Sequence, residues 1–289
     1  MSLRLICIIL CIPLFLSCQK KSGREEGSVE RAYKLIDADR EEEAIVLLEE
    51  EYNKDPKNKP IKVALASAYA KRAGITLEAF YDLLNYKVFS KPLGESGLSS
   101  ELNSSGLKTN SAYSRQGKTV NEATQSIAKI MGLALDAAKT FYYLPNIDPE
   151  RRLDLYQAIY HMNTLEDKTK GEHLYLAILK ILELKFVLYN DILPSMFVQS
   201  NNKCRLDVES TKKGVHQLAD ILFSIIDNIN GSHPIATQEI YKNKSAIKEE
   251  LKTLDANLSE ALLFDDFMIL LFKQAVIATG VGDFNPCGL

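Results

Sequence analysis

The stretch from Leu174 to Leu188 constrains the fold more than any other. Leu174, Tyr175, Leu176, Ala177, Ile178, Leu179, Ile181, Leu182, Leu184, Phe186, Val187 and Leu188 make it apolar nearly all round, and only Lys180, Glu183 and Lys185 interrupt it. A helix that is hydrophobic on most sides must be packed on most sides. This segment therefore predicts a central helix, with its three charges on one narrow polar stripe. Those charges also exclude a membrane span.

Helical periodicity continues around it. Helices are expected near 120–143, 149–162, 171–193, 207–229, 235–255 and 258–279, punctuated by Pro145, Pro149, Pro194, Pro234 and Gly231. Asp148-Pro149 places an aspartate cap before a proline in the first turn. The last helix carries Leu262, Leu263, Phe264, Phe267, Ile269, Leu270, Leu271 and Phe272, and is expected to be the main partner of the central one. Alternating apolar and polar runs are rare, no strand is evident, and the expected class is all-α. The net charge is −3 with acids and bases interspersed, so no basic surface for nucleic acid is implied.

The N-terminus carries a different signal. Arg4 is the only charge before an unbroken apolar run from Leu5 to Leu16, and charge returns at Lys20, Lys21 and Arg24. That is the layout of a secretory signal, and it is shorter than the roughly 20 apolar residues of a spanning helix. The ending Phe15-Leu16-Ser17-Cys18 resembles the lipobox of bacterial lipoproteins, departing from it at Phe15, where that family prefers leucine. The resemblance implies removal of residues 1–17, lipid attachment at Cys18 and a tether over 18–27. Gln19 resembles the outer-membrane sorting pattern, which implies an anchor in the outer membrane facing the periplasm. An ordinary secretory signal with an incidental cysteine is the alternative.

Residues 28–89 read as helical hairpins. Ser28 is expected to cap a helix over 29–38, Asp39-Arg40 leaves a tight turn, and a second helix over 41–53 should stop before Asp55-Pro56. Ala32, Leu35, Ala44, Leu48 and Pro56, then Leu65, Ala66 and Tyr69 one repeat later, resemble the 34-residue tetratricopeptide pattern. A third helix is expected over 61–72, ended by Gly74, and a fourth over 76–89 capped by Thr76. In that fourth helix the pattern's small residue falls at Glu78, with Ala79 one place late. The resemblance implies a stack of paired helices that exposes a groove for a partner.

Residues 90–118 are rich in serine, glycine and asparagine, with Leu93, Leu98, Leu102 and Leu107 spaced among them. Such a segment is either a flexible insertion or a docking loop. The α-helical domain then covers 119–289. Cys204 and Cys287 remain after the signal cysteines and Cys18 are set aside. In an oxidising compartment they either pair, closing a long loop worth about 2–4 kcal/mol, or stay as separate thiols.

No catalytic or metal-binding spacing occurs. His161, His173, His216 and His233 do not pair at helical spacing, and HExxH, CxxC, EF-hand and GxSxG patterns are missing. Each histidine reads as a surface or interhelical residue. Asp265-Asp266 point about 100° apart on a helix and form no dyad. Tyr142, Tyr143, Tyr156 and Tyr160 gather near one hairpin, and Tyr156 and Tyr160, four apart, share a helix face, suiting either recognition or a hydrogen-bonded core. The expectation is a non-enzyme without cofactor or metal: a lipid-anchored scaffold that binds a protein partner in the envelope. The alternatives are a ligand-binding accessory subunit of a TRAP-type solute importer, on resemblance of outline alone, and an enzyme whose site is assembled from scattered residues.

Overall fold

The computed structural model describes residues 27–75, 116–140, 146–200, 203–232 and 237–257. Helices make up 85% of this, so the chain is all-α. In order they are α1 (Ser28–Asp37), α2 (Glu41–Lys54), α3 (Lys59–Arg72), α4 (Gln116–Thr140), α5 (Arg152–Asn163), α6 (Lys170–Val187), α7 (Val208–Ser232) and α8 (Thr237–Asn257). A 3₁₀ turn, Pro149–Arg151, leads into α5, and a π-turn, Leu188–Ile192, prolongs α6 into a last helical turn, Leu193–Ser195.

Local chemistry sets most helix ends. The Asn58 carboxamide accepts from the Ile61 N–H at 3.3 Å, with Pro60 in the first turn of α3. Thr169 and Glu172 form a capping box at α6, through bonds of 3.3 and 2.6 Å. Asp207 accepts from Ser210 N–H at 2.8 Å and starts α7. Helix α3 ends where expected: Gly74 takes φ +84°, and the Ile75 N–H reaches back to the Ala70 carbonyl at 3.0 Å. Asp39, at φ 56°, closes α1 the same way, with Arg40 N–H bonded to Leu35 at 2.9 Å.

Four expectations need correction. Ser28 is not a cap: the helix begins one residue early, the Gly27 carbonyl accepts from Arg31 N–H, and Ser28 lies inside the first turn. Helix α4 begins at Gln116, inside the segment read as a 90–118 loop. The chain also has strands. Phe197–Ser200 and Lys203–Leu206 form an antiparallel hairpin in register Phe197 with Leu206. Finally, the charges of α6 do not share a stripe. Lys180 and Glu183 pair at 2.7 Å, but Lys185 is 4% exposed. At 100° per residue it lies about 200° from Glu183, on the packed side.

The central position of α6 is as expected. Leu176, Ala177, Ile178, Leu179, Ile181, Leu182 and Leu184 are all buried, and α6 packs most heavily on α7, through Val215, Leu218, Leu222, Ile225 and Ile226. The expected partner over 258–279 lies outside the described residues. So do the expected fourth helix over 76–89, residues 90–115 of the expected loop, Tyr142-Tyr143 and Asp265-Asp266.

Short connections fold the chain back and forth, which defines two ends of the body. At one end, Lys62 Nζ donates to the Thr164 carbonyl at 3.0 Å, and Lys59 pairs with Glu172 at 2.8 Å. At the other, Lys71 pairs with Asp39 at 2.9 Å and Arg72 with Asp154 at 2.5 Å. Helix α3 therefore runs antiparallel to both α2 and α5, which flank it. The two flanking helices bury the same small motif. Ala44-Ile45 and Leu48 of α2 match Ala158-Ile159 and Met162 of α5, and all six are buried. Alanine at the closest approach lets each pack tightly onto α3, where Ala64, Ala66 and Ala68 are fully buried.

Candidate functional site

The seam between α3 and α5 gathers the most chemistry. His161, on the inner face of α5, is 4% exposed. Its ring stacks on Tyr69 of α3, with centroids 5.9 Å apart and planes 12° from parallel. Tyr52 of α2 meets it edge-on at 5.2 Å, and Tyr160 of α5 at 5.3 Å. Its Nδ1 is buried without a hydrogen-bond partner. Burial, aided by the Lys62 ammonium, pushes the imidazole down to about 4 against the opposing pull of Glu49. It is therefore neutral at pH 7.

A polar shell surrounds the ring. Tyr69 donates its hydroxyl to Glu49 of α2. Burial raises that hydroxyl well above the ordinary tyrosine range, and the bond to Glu49 adds to the effect. Burial likewise raises Tyr52, whose hydrogen bond with Tyr160 adds to it. Arg72 lies over the Tyr69 ring at 5.1 Å and bonds Asp154. Tyr52 and Tyr69 are thus held protonated as hydrogen-bonding groups. The cluster joins the α1–α3 layer to α5.

The outer face of α5 is different. Arg152, Tyr156, Tyr160 and Leu153 fall within about 100° of arc on the helix. Leu153 is 73% exposed and Tyr160 51%. Val46, on the flanking α2, is also exposed. Arg152 is held flat by two rings, 5.2 Å from Tyr156 and 5.4 Å from Phe186 of α6. It donates to both carboxylate oxygens of Asp191, at 3.3 and 2.8 Å. Asp191 belongs to the π-turn. Pro194 has no N–H for the Asn190 carbonyl and crowds it, and the widened turn absorbs that conflict.

Sequence reasoning placed Tyr156 and Tyr160 on one face, and the structure divides their roles. Tyr156 is half-buried against Arg152, whose Nε donates to its hydroxyl at 3.3 Å, and Tyr160 sets one edge against His161 and leaves about half of its surface exposed. His173 meets Asn228 at 3.0 Å, and His216 meets Asp255 at 2.9 Å; His233 lies outside the described residues. Cys204 sits on the second strand, in register with Gln199, and Cys18 and Cys287 lie outside the described residues. Glu49, Tyr52, Arg72, Asp154 and Leu153 went unmarked, because the seam joins segments about a hundred residues apart. Among the described residues no group of three His, Cys, Asp or Glu side chains could hold a metal, and no helix is long and apolar enough to cross a membrane. Comparison with protein-family models, curated proteins and solved structures finds no match.

Proposed function

We propose that this chain is a lipid-anchored envelope protein whose helical body holds a protein partner along the outer face of α5. The observation that carries the reading is the pairing of Leu153 and Tyr160. Seven residues apart, they stand one above the other on a single helix face, both largely exposed. Arg152 and Tyr156 continue the same face, with Arg152 fixed by its ring contacts and by Asp191. Arginine and tyrosine are the residue types that most often anchor protein interfaces, and a side chain already held in place loses little freedom on binding. A helix or extended segment laid along α5 is the partner such a face fits.

The anchored half of the reading rests on the sequence Phe15-Leu16-Ser17-Cys18. The scaffold half is supported by the short antiparallel connections from α1 to α3 and by the motif that α2 and α5 repeat against α3. No catalytic step is part of the proposal.

The test places a photo-crosslinking side chain singly at Leu153, Tyr160 and Lys252 in the full chain, in its own envelope. The expected result is one common adduct from positions 153 and 160 and none from 252. Equal adducts at all three positions, or none at any, would overturn the scaffold reading. Mass spectrometry of the N-terminal peptide tests the anchor separately, and an unmodified Cys18 ends it.

A further inference from the structure

We propose that the seam between α3 and α5 is an acid-opened joint: proton uptake by His161 releases the α1–α3 layer from α5 while α6 and α7 stay packed. Three tyrosine rings enclose the imidazole, and its buried Nδ1 has no acceptor to share a proton with.

Every neighbouring charge bears on this. From α2 come Glu49 and Tyr52, and Glu49 is committed to the Tyr69 hydroxyl. From α3 come Tyr69, Lys62 and, a turn further on, Arg72. Lys62 opposes an imidazolium directly. Arg72 is taken up by Asp154, which is therefore not free to move to the ring. Tyr160 and Asp154 are the contributions of α5 itself. On the α6 side, Glu172 pairs with Lys59, and Lys168 donates to the Asn163 and Leu165 carbonyls, at 3.0 and 2.7 Å. Glu49, the carboxylate that acts on the imidazole, is thus already engaged, and the Lys62 cation opposes an imidazolium. Opening the seam lets water reach both nitrogens.

One proton taken up on opening fixes the size of the effect. Between the ordinary imidazole range near 6.5 and the buried value of about 4, the opening equilibrium rises about tenfold for each pH unit lost. The α6–α7 pair has the larger apolar contact, and its interface histidine, His173, is hydrogen-bonded to Asn228 at 3.0 Å, so it outlasts the seam.

Native-state hydrogen exchange on the full chain tests the proposal, after correction for the intrinsic chemical rate at each pH. The expected result is that amides of α1–α3 open about ten times more readily at pH 5 than at pH 6, and amides of α6 and α7 do not follow. In His161→Phe the ring stack is kept, and the pH dependence of α1–α3 should vanish. The His161 imidazole resonances, assigned by their loss in His161→Phe and followed in the unmodified protein, give a second readout and should show no titration above pH 5. Titration near 6.5, an undiminished slope in His161→Phe, or equal opening of α1–α3 and α6–α7 would each overturn the proposal.

Discussion

His161 of α5 lies face to face with Tyr69 of α3, and the imidazole has no hydrogen-bond partner at its inner nitrogen. The contact is apolar packing made from two polar residues, and it holds only while the ring is uncharged.

Global stability should therefore depend on acid with a definite sign. The folded protein holds His161 at about 4, and the unfolded chain binds its proton near 6.5. Above 6.5 both states are neutral and the contact counts in full. As pH falls from 6.5 toward 4 the unfolded state gains the proton first, and stability drops by at most about 1.4 kcal/mol per unit. Urea midpoints measured between pH 7 and 4.5 should fall, and His161→Phe should flatten the part of the curve above pH 5.

Lys185 sets the opposite end of the pH scale. Burial on the packed side of α6 lowers it to about 8, and in the unfolded chain it titrates near 10.4. Below pH 8 both states carry the proton and the folded state bears the full cost of burying it. Between 8 and 10.4 the folded state sheds the proton first, and stability rises. Lys185→Met should abolish that alkaline gain, as read from denaturant curves at pH 7 and 9.5.

The two arginine–aspartate pairs of α5 should prove unequal. Arg72 and Asp154 are mostly buried, with side-chain exposures of 24% and 10%. Arg152 and Asp191 are more open. Asp154→Ala leaves a buried guanidinium without its anion and should cost about 2–3 kcal/mol. Asp191→Ala should cost under about 1 kcal/mol, because Arg152 keeps its two ring contacts and reaches water. Equal losses in thermal or chemical unfolding would contradict this account.

Gly231 tests how closely α7 approaches α6. A Cβ there would lie 2.6 Å from the His173 ring. Alanine in a helix gains up to about 1 kcal/mol over glycine, but overpacking typically costs about 1–3 kcal/mol. Gly231→Ala should therefore destabilise by about 1–2 kcal/mol. In the double variant with His173→Ala the penalty should disappear, which a double-mutant cycle would show as a coupling of similar size.

What the sequence disclosed, and what it withheld, follows from the range of the interactions. Helix ends set by a local backbone turn, in which an N–H reaches back five residues, were readable, as at Gly74 and the turn of Asp39. Ser28 misled because a glycine before a serine offers two equivalent starts, and only packing chooses between them. Lys185 was put on a polar stripe because a charge was assumed to seek water, although its angle from Glu183 was available from position alone. The hairpin over 197–206 escaped because each strand is four residues long, too short for alternation to register. The seam around His161 could not be read at all. Its parts come from residues 49–72 and 154–161, and nothing local ties the one to the other. The lipobox-like sequence ending at Cys18 is the reverse case, written wholly in adjacent residues.

The back-and-forth course of the helices fixes where the rest of the polypeptide must attach. Residue 27 joins the body at one end of α1. Ile75 leaves from the opposite end of α3, and Gln116 returns there as well, since Asn257 of α8 meets Glu122 at that same end. At 1.5 Å per residue, α3 alone spans about 20 Å. The forty residues between Ile75 and Gln116 are thus attached, at both of their ends, to the pole opposite the start of α1.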